Sequence, residues 1–106
     1  MPKKYRLEIL APAQLELEEI AGMRRELAGA KSARKLTDSI YNSLEHLRIH
    51  PLMGAEAKIP ALNEQGYRVL ISGEHLCFYR PIGDVIYVYH IVHGASDYPK
   101  MLHDLL

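Results

Sequence analysis

The sequence predicts an α+β domain in which an antiparallel helix hairpin packs on one face of a mostly antiparallel, twisted sheet. The predicted order is β-α-α-β-β-β with a short carboxyl-terminal helix. Three observations lead there. Residues 66–94, GYRVLISGEHLCFYRPIGDVIYVYHIVHG, are dense in Val, Ile, Tyr and Phe and are interrupted only at Ser72-Gly73 and at Pro81-Ile82-Gly83-Asp84. That pattern reads as three consecutive antiparallel strands joined by turns. Two amphipathic segments precede them with a short connection at Gly29, the signature of an αα-hairpin. Finally, a chain of 106 residues has room for one domain, residues 1–106, with one modest core.

Each element has its own justification. Over residues 4–10, Tyr5, Leu7 and Ile9 alternate with Lys4, Arg6 and Glu8, giving a strand with one wet, charged face that suits a sheet edge. How this strand joins the sheet does not follow from the pattern. Pro12 suits the start of a helix, which runs to Ala28 with a stripe of Leu17, Ile20 and Leu27 flanked by Leu15 and Met23. Glu16, Glu18 and Glu19 early and Arg24 and Arg25 late complement its dipole, and Gly29 ends it. A second helix spans Ser32 to His50 with the stripe Leu36, Ile40, Leu44 and Leu47, and Pro51 stops it. Residues 51–65 show no period and read as a long loop crossing one face. In the last strand Ile86, Val88, His90 and Val92 alternate with Val85, Tyr87, Tyr89, Ile91 and His93. Both faces are largely apolar, as in a central strand covered on both sides. Asp97 caps a tail helix whose apolar side is Met101, Leu102, Leu105 and Leu106.

Composition narrows the function. Lys plus Arg and Asp plus Glu balance at 13 each, without the basic excess of proteins that grip nucleic-acid backbones. The single cysteine, Cys77, sits in an apolar run as a buried, reduced thiol. No apolar run approaches the ~20 residues of a membrane span, and Met1 to Tyr5 do not resemble a secretory signal, so a cytoplasmic location is expected.

Arg68, His75, Arg80, His90 and His93 fall on strand positions, where Arg, His and Tyr on one sheet surface can bind phosphate and assist acid–base cleavage of RNA. The competing reading places the arginines on solvated faces and packs the tyrosines. His90 and His93, three apart on a strand, point to opposite faces and cannot share one metal ion. His46 and His50 lack a third ligand. No glycine-rich phosphate loop or nucleophile elbow is present, so neither metal nor cofactor is expected.

Tyr67-Arg68-Val69-Leu70, Gly73, Cys77-Phe78-Tyr79-Arg80, Asp84, Ile91-Val92-His93-Gly94 and Asp97-Tyr98, with His50-Pro51-Leu52-Met53-Gly54 upstream, resemble the RelE/ParE superfamily of toxins from bacterial type II toxin–antitoxin modules. The resemblance covers nearly the whole chain. It implies a growth-inhibiting toxin neutralised by a cognate antitoxin, with DNA touched only through that antitoxin; a homodimer is compatible with it. Two activities are known in the superfamily: ParE-like members inhibit DNA gyrase, and RelE-like members are ribosome-dependent mRNA endoribonucleases. The chain would be an enzyme only in the second case. For that case the candidate catalytic residues are Arg68, His75, Arg80, His90, His93 and Tyr98. Leu70 and Leu76 stand where RelE-like nucleases carry basic groups, and Gly94-Ala95-Ser96-Asp97 lacks the Arg pair of many relatives. Gly73-Glu74-His75, Phe78-Tyr79-Arg80 and Asp84 are closer to the ParE pattern, so gyrase is the favoured target. An inactive member that only binds antitoxin is the third reading.

Overall fold

A computed structural model describes residues 4–103. The elements run β1 (Arg6–Ile9), α1 (Ala11–Ala28), α2 (Ala30–His46), β2 (Ala55–Glu56), α3 (Pro60–Glu64), β3 (Arg68–Ser72), β4 (His75–Ile82), β5 (Val85–His93) and α4 (Tyr98–His103). The expected fold class and hairpin are present. The stretch 51–65, expected to be a loop, instead holds a two-residue strand and a short helix begun at Pro60. Leu105 and Leu106, assigned to the tail helix, lie outside the described residues, as does the side chain of Met101. No helix among the described residues is long and apolar enough to cross a membrane.

The sheet order is β1-β5-β4-β3-β2. β1 lies at an edge, as its charged face suggested, and pairs parallel to β5, whereas every other pairing is antiparallel. Its start is pinned to the end of the hairpin. Tyr5 N–H donates to the Arg48 carbonyl at 2.7 Å, and Arg48 Nε donates to the Tyr5 carbonyl at 2.8 Å. Both hairpin turns of the meander place a glycine with positive φ first, Gly73 at 59° and Gly83 at 61°. This is the pattern of a type II′ turn, which follows the natural twist of paired strands.

The hairpin covers one sheet face. Ala13 and Leu17 of α1, Ile40 and Leu44 of α2 and Leu47 just beyond it pack on Leu70, Cys77, Tyr79, Ile86, Val88 and Ile91. Burying each large aliphatic side chain there contributes about 1.5–3 kcal/mol. The α1 stripe is covered only in its first half: Met23 and Leu27 are 65% and 83% exposed, and Leu15 is also exposed. On the opposite face, α3 and α4 cover a smaller cluster of Ala57, Leu62, Tyr67, Phe78, Val92 and Leu102.

One strand departs from simple alternation. Phe78 pairs with His90 but Tyr79 pairs with Val88, so Tyr89 is an extra residue, a β-bulge. The bulge shifts parity. Ile91 joins Val88 on the hairpin face, and Val92 joins Tyr89 on the other, contrary to the expected alternation.

The hairpin exit is locked to the sheet by a fully buried phenol. Tyr79 Oη donates to the Pro51 carbonyl at 2.8 Å and accepts from Gly54 N–H at 3.0 Å. Arg68 completes the clamp, with Nε donating to the Gly54 carbonyl at 2.9 Å and Nη2 to the Leu52 carbonyl at 3.1 Å. A Cβ on Gly54 would lie 2.7 Å from both Tyr79 Oη and the Val69 carbonyl oxygen, so only glycine fits. Tyr79→Phe leaves a buried N–H and C=O unpaired and is expected to destabilise the fold by about 1–3 kcal/mol. Gly54→Ala forces backbone apart and is expected to cost about as much. Urea denaturation midpoints measure both.

Candidate functional site

The structure scatters the six candidate residues over five places and brings only two of them together. Arg68 is the second half of the clamp, its Nε and Nη2 donating to backbone carbonyls. His75 and His93 face each other across the β4–β5 ladder beside the Gly73-Glu74 turn. Their rings meet edge-on at 5.3 Å. His93 Nδ1 accepts the Ala95 N–H at 3.0 Å, which places the proton of the neutral ring on Nε2, 3.4 Å from Glu74 Oε2. His75 is buried, and its Nδ1 has no partner among the described residues. Burial lowers the His75 pKa, and so do the neighbouring His93 and Arg24, with Glu74 opposing. Ile20, Met23, Leu27 and Leu36 of the hairpin wall this end of the sheet into an open cleft of about 330 Å³.

His90 stands apart from that pair. Its Nδ1 lies 3.1 Å from Glu16 Oε1, and the same oxygen accepts the Ile91 N–H at 3.1 Å. Glu16 therefore satisfies a backbone N–H of β5 beyond Val88, the last residue that pairs with β1. The sequence assigns Glu16 only to the helix dipole, because nothing in the local pattern shows where β1 leaves the edge of β5 open. The bulge precedes both histidines, and from His90 to His93 the ladder is regular, His90 opposite Phe78 and His93 opposite His75, so the two stay on opposite faces as their spacing predicts. They are also held by different carboxylates, Glu16 and Glu74. Among the described residues no group of three His, Cys, Asp or Glu is placed to hold a metal ion. Burial pushes the Cys77 thiol up to about 12, leaving it an inert part of the core.

Arg80 and Tyr98 lie on the other face. The Arg80 guanidinium sits over the rings of Tyr67 and Tyr89. Tyr98 packs on Phe78, ring centres 5.7 Å apart, and closes an apolar groove of about 210 Å³ with Ile59, Val69, Ile71 and Leu76. A single active centre drawing on all six residues is not formed, because the sheet separates them.

The profile of the ParE toxin of the type II toxin–antitoxin system parDE matches residues 7–98. The chain belongs to the ParE toxin family. It is accordingly a toxin component of a type II toxin–antitoxin system, in the RelE/ParE superfamily that its motifs resemble. Among solved structures, it is similar to a chain of the chromosomal ParDE system of P. aeruginosa, with a TM-score of 0.73 and 21% identity over 86% of this chain and 97% of that one. It is also similar to a chain of the RelBE2 toxin–antitoxin complex of Mycobacterium tuberculosis, with a TM-score of 0.65 and 13% identity over 88% and 94%. At these identities the likeness is one of fold. No curated protein matches the chain.

The buried imidazole of this ParE-family toxin gives stability a defined pH dependence. The folded state holds His75 neutral below its ordinary value of 6.5, while the unfolded chain takes up a proton there. The contribution of neutral His75 is therefore complete above pH 6.5 and is lost as pH falls below it, until the lowered folded value is reached. The slope in that window is at most about 1.4 kcal/mol per pH unit. His75→Gln is expected to flatten this part of a stability-versus-pH curve measured by urea denaturation.

Proposed function

We propose that the toxin acts by binding and inhibiting DNA gyrase, and that a cognate antitoxin neutralises it. The observation that carries this reading is the state of Arg68. Cleavage of RNA in this superfamily calls for cations open to phosphate, and here the arginine at the matching strand position is tied to the 51–54 turn, with Nε and Nη2 donating to the Gly54 and Leu52 carbonyls. The neutral overall charge and the apolar Leu70 and Leu76 give further support. So does the match of the chain to the ParE branch. Both solved relatives come from toxin–antitoxin systems, which supports an antitoxin as partner.

One observation favours a second reading. His75 and His93 pair beside Glu74, groups able to exchange protons in acid–base cleavage of mRNA, with Arg24 as a neighbouring cation. The two readings separate in one pair of assays. Under the gyrase reading, purified wild-type toxin inhibits supercoiling, and the folded double variant His75→Gln, His93→Gln still arrests growth. Cuts in translated messages after induction, lost in that double variant, with normal supercoiling at saturating toxin, would overturn it in favour of the ribonuclease.

A further inference from the structure

On the face away from the hairpin, the fold holds a half-buried cation that no carboxylate among the described residues neutralises. The Arg80 guanidinium carbon lies 5.1 Å from the ring centre of Tyr67 and 5.2 Å from that of Tyr89. The two rings meet edge-on at 4.9 Å and make one aromatic seat. Arg80 Nη1 donates to the Gln65 carbonyl at 3.1 Å. Its Nε is buried without a partner, while Nη2 is not buried and has no hydrogen-bond partner among the described residues. The ring faces attract the cation, so the side chain is held in place with Nη2 still free to donate.

An arginine fixed in this way suits recognition. Its planar fork matches a carboxylate, and little rotamer freedom remains to be lost when one arrives. Arg and Tyr are also the side chains that most often carry the binding energy of protein interfaces. The seat is built from phenol rings and a backbone carbonyl. A site for a nucleic-acid backbone would instead gather several cations. We propose that Arg80, seated on Tyr67 and Tyr89, is an anchor by which the toxin grips its protein target, and that Nη2 donates to a carboxylate on an acidic segment of that target. This rests on the gyrase reading, and it adds the surface and the chemistry through which the toxin recognises gyrase.

The test is a gyrase supercoiling titration with wild type, Arg80→Ala and Arg80→Lys, each first shown to be folded by thermal melting. The half-inhibitory concentration is expected to rise about 30-fold in Arg80→Ala, the weight of a hot-spot side chain. Arg80→Lys keeps the charge and loses the fork, so it should fall between the two; it also carries the test if the alanine variant does not fold. Inhibition by Arg80→Ala or Arg80→Lys at wild-type potency would overturn the assignment of Arg80 and leave the gyrase reading standing. A wild type that neither binds nor inhibits gyrase would remove the target and this proposal together. Wild-type RNA cleavage abolished by Arg80→Ala would assign the guanidinium to phosphate instead, and would equally overturn it.

Discussion

The Tyr79 hydroxyl joins the two halves of this fold. It sits at the centre of the hairpin-facing core with no exposure to solvent, and it both donates to Pro51 and accepts from Gly54. A buried polar group of this kind is tolerated only when its hydrogen bonds are made. The turn at 51–54 must therefore come to the phenol, and the turn fixes where α2 leaves the hairpin and where β2 meets β3. Gly54 permits the approach, and Arg68 holds the turn from the other side. The apolar packing of the hairpin on β4 and β5 supplies most of the driving force, while the clamp selects its position.

This arrangement changes what the recognisable residues mean. His50-Pro51-Leu52-Met53-Gly54, Tyr67-Arg68 and Phe78-Tyr79-Arg80 are short motifs scattered over thirty-odd positions of chain, yet most of them meet at one buried joint. Tyr79 and Arg68 serve the scaffold. Arg80 is the exception, turned to the opposite face and left with a free donor. The same six-residue set that suggested a ribonuclease thus resolves into a clamp, a histidine pair at the cleft, a helix-to-strand tie between Glu16 and His90, an aromatic-seated cation, and a tyrosine packed on Phe78.

The hairpin and the meander were legible because their signals are local. Helical stripes, strand-forming runs and turn glycines each act within a few residues, and Gly73 and Gly83 adopt the turn geometry that their positions suggested. What was not legible depends on contacts distant in sequence. Residues 51–65 form β2 and α3 against β3 and the second core cluster, which no periodicity announces. The extra residue at Tyr89 reverses the facing of the end of β5, and the Ile91 N–H beyond it is taken by Glu16, 75 positions away. Leu27 and Met23 continue a helical stripe that the sheet does not extend far enough to cover. Arg68 was read as a phosphate ligand because sequence displays its charge and conceals the backbone carbonyls that receive it.

The central claim is that the clamp consumes Arg68 structurally, and the urea denaturation midpoint of Arg68→Ala tests it most directly. Loss of two charge-assisted bonds to backbone is predicted to lower stability by about 1.5–3 kcal/mol. An unchanged midpoint would show that the guanidinium contributes nothing to the fold and would return Arg68 to the functional surface.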